Sequence, residues 1–236
     1  MSTFLTAIIV VTAFLALYWV FYGQRKHNEM MNPKRKTELK AVLFDLDGVI
    51  VDSLDLWFGI FNRVRKDFKL KQISKQEFTK NVWGGSVDAD VKRYYNNMDP
   101  GKLEKIYKSH IMNYVNKSKL MPDAKRVLKK IRDKNIKIGL ATNNFKNAVN
   151  AILKFHKIES YFDAVVTGND IEKAKPFPDS ILKLCEKLKI MPDEAIYVGD
   201  TKNDYKAGKS AGCFVVGLNT QGDLIISELK DIQELI

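Results

Sequence analysis

Two acids, Asp45 and Asp47, stand one residue apart at the end of the apolar run Ala41 to Phe44, and Gly48 follows at once within VLFDLDGVIVDS. Alternation along an extended strand turns both side chains to one face. Like charges this close are costly unless something cationic joins them, so the pattern points to a divalent-ion or phosphate-handling centre. Asp45 could hold a hard cation through one carboxylate oxygen and attack phosphorus with the other. Ionisation of Asp45 should raise the pKa of Asp47, leaving it able to protonate a leaving alkoxide and then to deprotonate water. Gly48 allows the tight turn that brings both acids into one site.

Three further patches could join them. Thr142 lies in LATNN, followed by Asn143 and Asn144, where turn chemistry alone also favours asparagine. Thr142 also fits as the cap of a helix beginning near Phe145. Lys175 lies in KAKPFPD, close to Lys173, and Asp200 and Asp204 lie in VGDTKND. Asp204 is also placed to cap the helix that runs through Ala211.

The elements that must position these residues alternate short apolar runs with helix-period stretches, the pattern of a parallel sheet covered on both faces. Strands are expected at Ala41–Phe44, Ile136–Ala141, Ala164–Val166, Ala195–Val198 and Phe214–Val216. The first four run into DLDG, TNN, TGND and GDTKND, and in open α/β sheets the binding crevice lies beyond the carboxyl ends of the strands. Residues 55–120 break the rhythm. Helices are expected there at Leu56–Phe68, Ser74–Val82, Val87–Tyr95 and Leu103–Asn116, an all-helical cap between the first strand and the rest of the core (39–54 and 121–236). Within the cap, the glycines of WGGS suggest a loop that dips into the crevice, with Gly85 a candidate substrate contact. The basic residues Arg63, Arg65, Lys66, Lys69 and Lys71 read as a solvated helix face.

With these residues in place, DLDGVIVDS is very similar to the first motif of the haloacid dehalogenase-like phosphatases. Thr142 resembles the second motif, whose hydroxyl and following backbone amide, here that of Asn143, hold the transferring phosphoryl group. Lys175 resembles the third, and Asp200 and Asp204 the fourth. The match runs from Leu39 to about Asn219. The resemblance implies a Rossmann-like three-layer α/β sandwich with an inserted helical cap. It implies Asp45, Asp47 and Lys175 as catalytic residues. Mg²⁺ would be held by Asp45, Asp47, Asp200 and Asp204, and substrate by Thr142, Asn143, Gly48 and Lys175. An acid at Asp47 goes with phosphatases and mutases, and Asp52-Ser53 with the cap position resembles the branch containing phosphoglycolate phosphatase and β-phosphoglucomutase. The expected activity is Mg²⁺-dependent hydrolysis of a small phosphomonoester, phosphoglycolate-like first, through an aspartyl-phosphate. Mutases of this branch carry an arginine soon after the equivalent glycine; here GGSVDAD intervenes before Lys92 and Arg93, which counts against a mutase. A pyrophosphatase, a nucleotidase and a non-catalytic membrane scaffold are the other readings.

Ahead of the core, Phe4 to Tyr22 is 19 residues without a charge, closed by Tyr18, Trp19, Phe21 and Tyr22 and followed by Arg25, Lys26, Lys34, Arg35 and Lys36. It reads as one transmembrane helix (4–22) on a basic tether (23–38), with the catalytic part facing the cytoplasm by the positive-inside rule. The net charge of +11 is spread along the chain with no nucleic-acid module, so the expected partners are a small phosphorylated metabolite and a membrane, not nucleic acid. Cys185 and Cys213 lack the spacing of a zinc site or disulfide framework, and His27, His110 and His156 are scattered.

Overall fold

The central strands of the sheet are buried on both faces, which is why they read as continuous apolar runs. The computed structural model describes residues 37–85 and 87–236. The anchor and nearly all of the tether lie outside the described residues; among these, no helix is long and apolar enough to cross a membrane. Six parallel strands form one sheet: β1 (Ala41–Phe44), β4 (Lys137–Ala141), β5 (Ala164–Val166), β6 (Ala195–Gly199), β7 (Phe214–Leu218) and β8 (Leu224–Ile226). Their order is β5-β4-β1-β6-β7-β8. Strand β1 is central, and its residues Ala41, Val42, Leu43 and Phe44 are all 0% exposed. Burying a side chain of the size of Leu or Phe is worth about 1.5–3 kcal/mol, so this segment is driven to the middle of the sheet.

Leu43, Tyr197 and Val215 on one side of the sheet pack with Ile181, Leu184 and Leu188 of the helix Asp179–Leu188 and Ala207 and Ala211 of Lys202–Ala211. The expected strands are present within one or two residues. β8 (Leu224–Ile226) is a further strand outside the expected set, at the edge of the sheet with Ile225 exposed.

The insertion is helical, with α1 (Leu54–Asp67), α2 (Lys75–Asn81), α3 (Val87–Tyr94) and α4 (Pro100–Tyr114). Ser74 caps α2 by accepting from Glu77 N, and Asp99 caps α4 by accepting from Lys102 N. Two short strands, β2 (Val51–Asp52) and β3 (Lys119–Leu120), pair antiparallel where the chain leaves and rejoins the core. Phe61 centres the cap, its ring 5.3 Å from those of Phe78, Tyr94 and Tyr95. The expected solvated basic face is corrected at one position. Arg63, Lys66, Lys69 and Lys71 are exposed, but Arg65 is buried. Its guanidinium lies 5.6–5.9 Å from the ring centres of Phe61, Tyr94 and Tyr95, and its Nε donates to Lys71 O at 2.7 Å. Arginine pairs stacking with a fixed fork of donors, so it can be buried where lysine would not be.

Candidate active site

The ends of β1, β4 and β6 contribute to one crevice, because the ladder carries the backbone just past the strands before the chain turns, whereas the TGND stretch after β5 does not line it. Asp45 N donates to Val198 O at 2.9 Å, and Thr142 N to Val166 O at 3.1 Å. A cavity of about 260 Å³ opens there, roofed by the cap. It brings together Asp45, Asp47, Thr142, Asn143, Lys175, Gly85, Asp200 and Asp204. Gly48 lies beside it at φ +79°, and a Cβ there would stand 2.0 Å from Asp200 Oδ2. The glycine is thus required both by its backbone and by the close approach of the acid.

Lys175, only 8% exposed, organises the floor. Its Nζ stands 2.7 Å from Asp45 Oδ1 and 2.7 Å from Asp204 Oδ1, and donates to Tyr197 OH at 3.1 Å and Ala141 O at 3.3 Å. Burial would lower its pKa, but Asp204 and Asp45 outweigh it and raise the value. Lys173 instead lies over the ring of Phe177, so the choice of Lys175 is the one the geometry supports.

Asp204 is not the cap that the sequence suggests: Thr201 caps the helix, and Asp204 sits in its first turn and closes the capping box, Oδ2 accepting from the Thr201 hydroxyl and from Thr201 N. Its Oδ1 takes Lys175 and the Tyr197 hydroxyl, the latter at 2.8 Å. Burial acts to raise its pKa, yet Lys175, Thr201 and Tyr197 together hold it below the usual carboxylate range. Asp204 is therefore an ionised anchor for the ammonium.

The other acids run the opposite way. Burial lifts Asp45 well above its ordinary value, against the pull of Lys175. Burial also lifts Asp200, to about 7, with Asp204 adding to the rise. One ligand oxygen from each of Asp45, Asp200 and Asp204 lies within 4.8 Å of the others. Asp200 Oδ1 is buried with no hydrogen-bond partner, an arrangement that costs about 1–3 kcal/mol or more for a charged group unless something fills the gap. An all-oxygen set with an orphaned carboxylate oxygen fits a hard divalent cation.

Asp47 does not belong to that three-acid group. Its carboxylate is held by the Ser53 hydroxyl on Oδ1 and by Asn144 Nδ2 on Oδ2. Burial raises its pKa, and these two hydrogen bonds restrain the rise. Asp47, expected as a metal residue as well as an acid–base one, thus stands outside the three-acid group as a carboxyl fixed by Ser53 and Asn144.

Thr142 is buried, and its Oγ1 accepts from Asn144 N at 3.2 Å. It does not cap the following helix, which begins at Lys146 with Phe145 at the cap. The Asn143 side chain turns to the backbone of Lys175, accepting from its N–H at 2.9 Å and donating to its carbonyl at 3.3 Å. Asn143 thus positions the lysine with its amide side chain. Tyr197, Ser53 and Asn144 were not singled out as site residues. Tyr197 reads as core, and only its hydroxyl, reaching Asp204 and Lys175, gives it a part.

Against known proteins, residues 42–218 match the family model described as haloacid dehalogenase-like hydrolase. Two pyrophosphatase-named PpaX proteins, from Clostridium perfringens and Anoxybacillus flavithermus, are 33% identical over 180 residues and 27% over 184. Each match covers 76% of this chain, and 84% and 83% of those proteins. The phosphoglycolate phosphatase of Aquifex aeolicus is 28% identical over 207 residues, 84% of this chain and 97% of that protein. Among solved structures, CbbY from Rhodobacter sphaeroides in complex with phosphate superimposes with a TM-score of 0.73 at 17% identity, covering 82% of this chain and 96% of that one. That likeness is one of fold.

Proposed function

This chain belongs to the haloacid dehalogenase-like hydrolases and is a phosphatase-type hydrolase, and from that premise we propose that it hydrolyses a small phosphomonoester through a phosphorylated Asp45. The observation that carries the reading is the pairing of a buried, Lys175-bound Asp45 with an Asp47 of raised pKa on the same turn. Asp45 attacks phosphorus, the new O–P bond forming as the ester O–P bond breaks. The leaving oxygen takes its proton from Asp47. Asp47, now ionised, accepts a proton from water, whose oxygen attacks the aspartyl-phosphate, releasing inorganic phosphate and restoring Asp45. Lys175 and the Thr142–Asn143 turn face the phosphoryl oxygens, where fixed donors count most.

Mg²⁺ is the cation we assign to Asp45, Asp200 and, through its place in the same group, Asp204; when bound, it offsets the charge gathered on the transferring phosphoryl group. By kinship, phosphoglycolate and pyrophosphate are the first substrates to try. We further propose that Phe4 to Tyr22 anchors the enzyme in a membrane with the hydrolase on the cytoplasmic side, on the strength of the uncharged run and the basic residues after it. Protease accessibility in sealed vesicles tests the orientation.

The catalytic test is phosphate release by wild type and Asp45→Asn with Mg²⁺. Release by wild type and only background by the variant is the expected result, and equal release by both rejects the mechanism.

A further inference from the structure

The roof of the cavity is unlike its floor. Trp57, Phe61, Phe78, Trp83 and Tyr107 present aromatic surface from the cap, and among them stands one carboxylate, Asp90, 9% exposed. Its partner among the described residues is Tyr107 OH, at a long 3.4 Å from Oδ2. That hydroxyl also lies 3.2 Å from Tyr95 OH, which donates to Phe61 O at 2.9 Å. Tyr107 has one proton to give, so it cannot serve both Asp90 and Tyr95.

The roof also lacks positive charge. Among the described residues lining the cavity, Lys175 is the one cation, and it sits on the floor against Asp45 and Asp204. The buried Arg65 is spent on Lys71 O and Tyr94 O behind the ring of Phe61. Lys108, 5.2 Å from the Phe145 ring centre, is paired with Glu104. A leaving group that bears a carboxylate or a second phosphate would meet a buried acid and no counter-ion. Such a like-charge juxtaposition costs several kcal/mol. A leaving group with an O–H or N–H would instead offer Asp90 a donor closer than the 3.4 Å of Tyr107, while its carbon skeleton lies on the rings.

We propose that the cap selects phosphomonoesters whose leaving group carries no negative charge and presents a hydroxyl or amine to Asp90, the class of polyol and amino-alcohol phosphates. The proposal rests on the phosphatase reading above and narrows it away from the anionic leaving groups of phosphoglycolate and pyrophosphate.

A matched panel tests it, using the full-length protein with Mg²⁺ at about pH 8: 2-hydroxyethyl phosphate, phosphoethanolamine, propyl phosphate, phosphoglycolate and pyrophosphate. 2-Hydroxyethyl phosphate and phosphoglycolate differ only in CH₂OH against carboxylate. The expected kcat/KM for the hydroxyl or amine compound exceeds that for both anionic compounds by about a hundredfold, and that for propyl phosphate by about tenfold. Which of the hydroxyl and amine compounds leads separates the polyol source from the amino-alcohol one. Asp90→Asn should narrow the phosphoglycolate gap by about tenfold or more. Phosphoglycolate or pyrophosphate turned over as fast as 2-hydroxyethyl phosphate overturns the proposal and leaves the phosphatase reading standing. An unchanged gap in a folded Asp90→Asn also overturns it. If that variant does not fold, the wild-type panel decides alone. No phosphate from any compound, with the protein folded, removes the phosphatase reading and the proposal with it.

Discussion

Asp204 holds the ammonium of Lys175 at 2.7 Å while its other oxygen closes the capping box with Thr201, so a residue in the first turn of a helix also aims the cation at Asp45. Removing one member of a buried pair costs about 3–5 kcal/mol, and here Asp45 would be left as the single carboxylate on Lys175. Asp204→Asn is therefore expected to lower stability by that order in denaturant unfolding and to cut kcat by about a hundredfold or more. A variant with wild-type kcat would show that Lys175 is aimed by something else.

Asp47 is expected to tolerate substitution in the fold and not in the chemistry. Asp47→Asn keeps the shape that Ser53 and Asn144 grip but can neither give nor take the proton. Loss of general acid–base catalysis corresponds to about 10²–10⁴-fold in rate. The loss should shrink for esters with good leaving groups such as p-nitrophenyl phosphate, which need little protonation; steady-state kinetics on both ester types checks this.

Cation binding should appear in stability as well as in turnover. Mg²⁺ added at about a hundred times its dissociation constant should stabilise the fold by about 2.7 kcal/mol, read as a rise in Tm. Asp200→Asn, which changes the carboxylate whose Oδ1 has no partner, should abolish most of that rise while the protein stays folded. Chelation should silence phosphate release reversibly.

At Gly48 two constraints meet, φ +79° and Asp200 Oδ2 at 2.0 Å from any Cβ. Gly48→Ala is expected to cost about 1–2 kcal/mol from the left-handed backbone alone. Displacement of Asp200 should weaken Mg²⁺ binding further, measurable by titration calorimetry.

Asp90 provides a pH signature separate from the floor of the site. Burial raises its pKa from 3.8 to about 7. The folded state thus binds a proton that the unfolded state has already lost. Its contribution to stability is complete below about pH 4 and is lost as pH rises through about 7. Asn in its place carries no such charge. The Tm of Asp90→Asn minus that of wild type should therefore grow between about pH 4 and about pH 7 and level off above, and a flat difference would count against a buried, proton-binding Asp90.

What could be read in the chain and what could not divide along physical lines. Asp45, Thr142, Lys175 and Asp200 were legible because apolar runs of fixed length end immediately before three of them, and a strand end is a place as well as a pattern. Tyr197 was hidden, since a tyrosine inside Ala195–Gly199 has the periodicity of a core residue whatever its hydroxyl touches. Asn143 and Asn144 are adjacent amides with opposite tasks, one facing Lys175 and the other Asp47, and turn propensity treats them alike. Arg65 and the aromatic roof escaped because the cap's composition is charged on average, whereas packing depends on which side of each helix meets its neighbours.

The ribbon of Val51–Asp52 with Lys119–Leu120 has one more implication. Paired strands run about 4.8 Å apart, so the two points at which the cap is spliced into the core are neighbours in space although separated by the whole insertion along the chain. The cap is a loop with closed ends. A short turn could bridge the gap in its absence, and a different insert with similarly spaced ends could be grafted there without re-threading the sheet. The cap is thus modular with respect to the sheet that carries the candidate site.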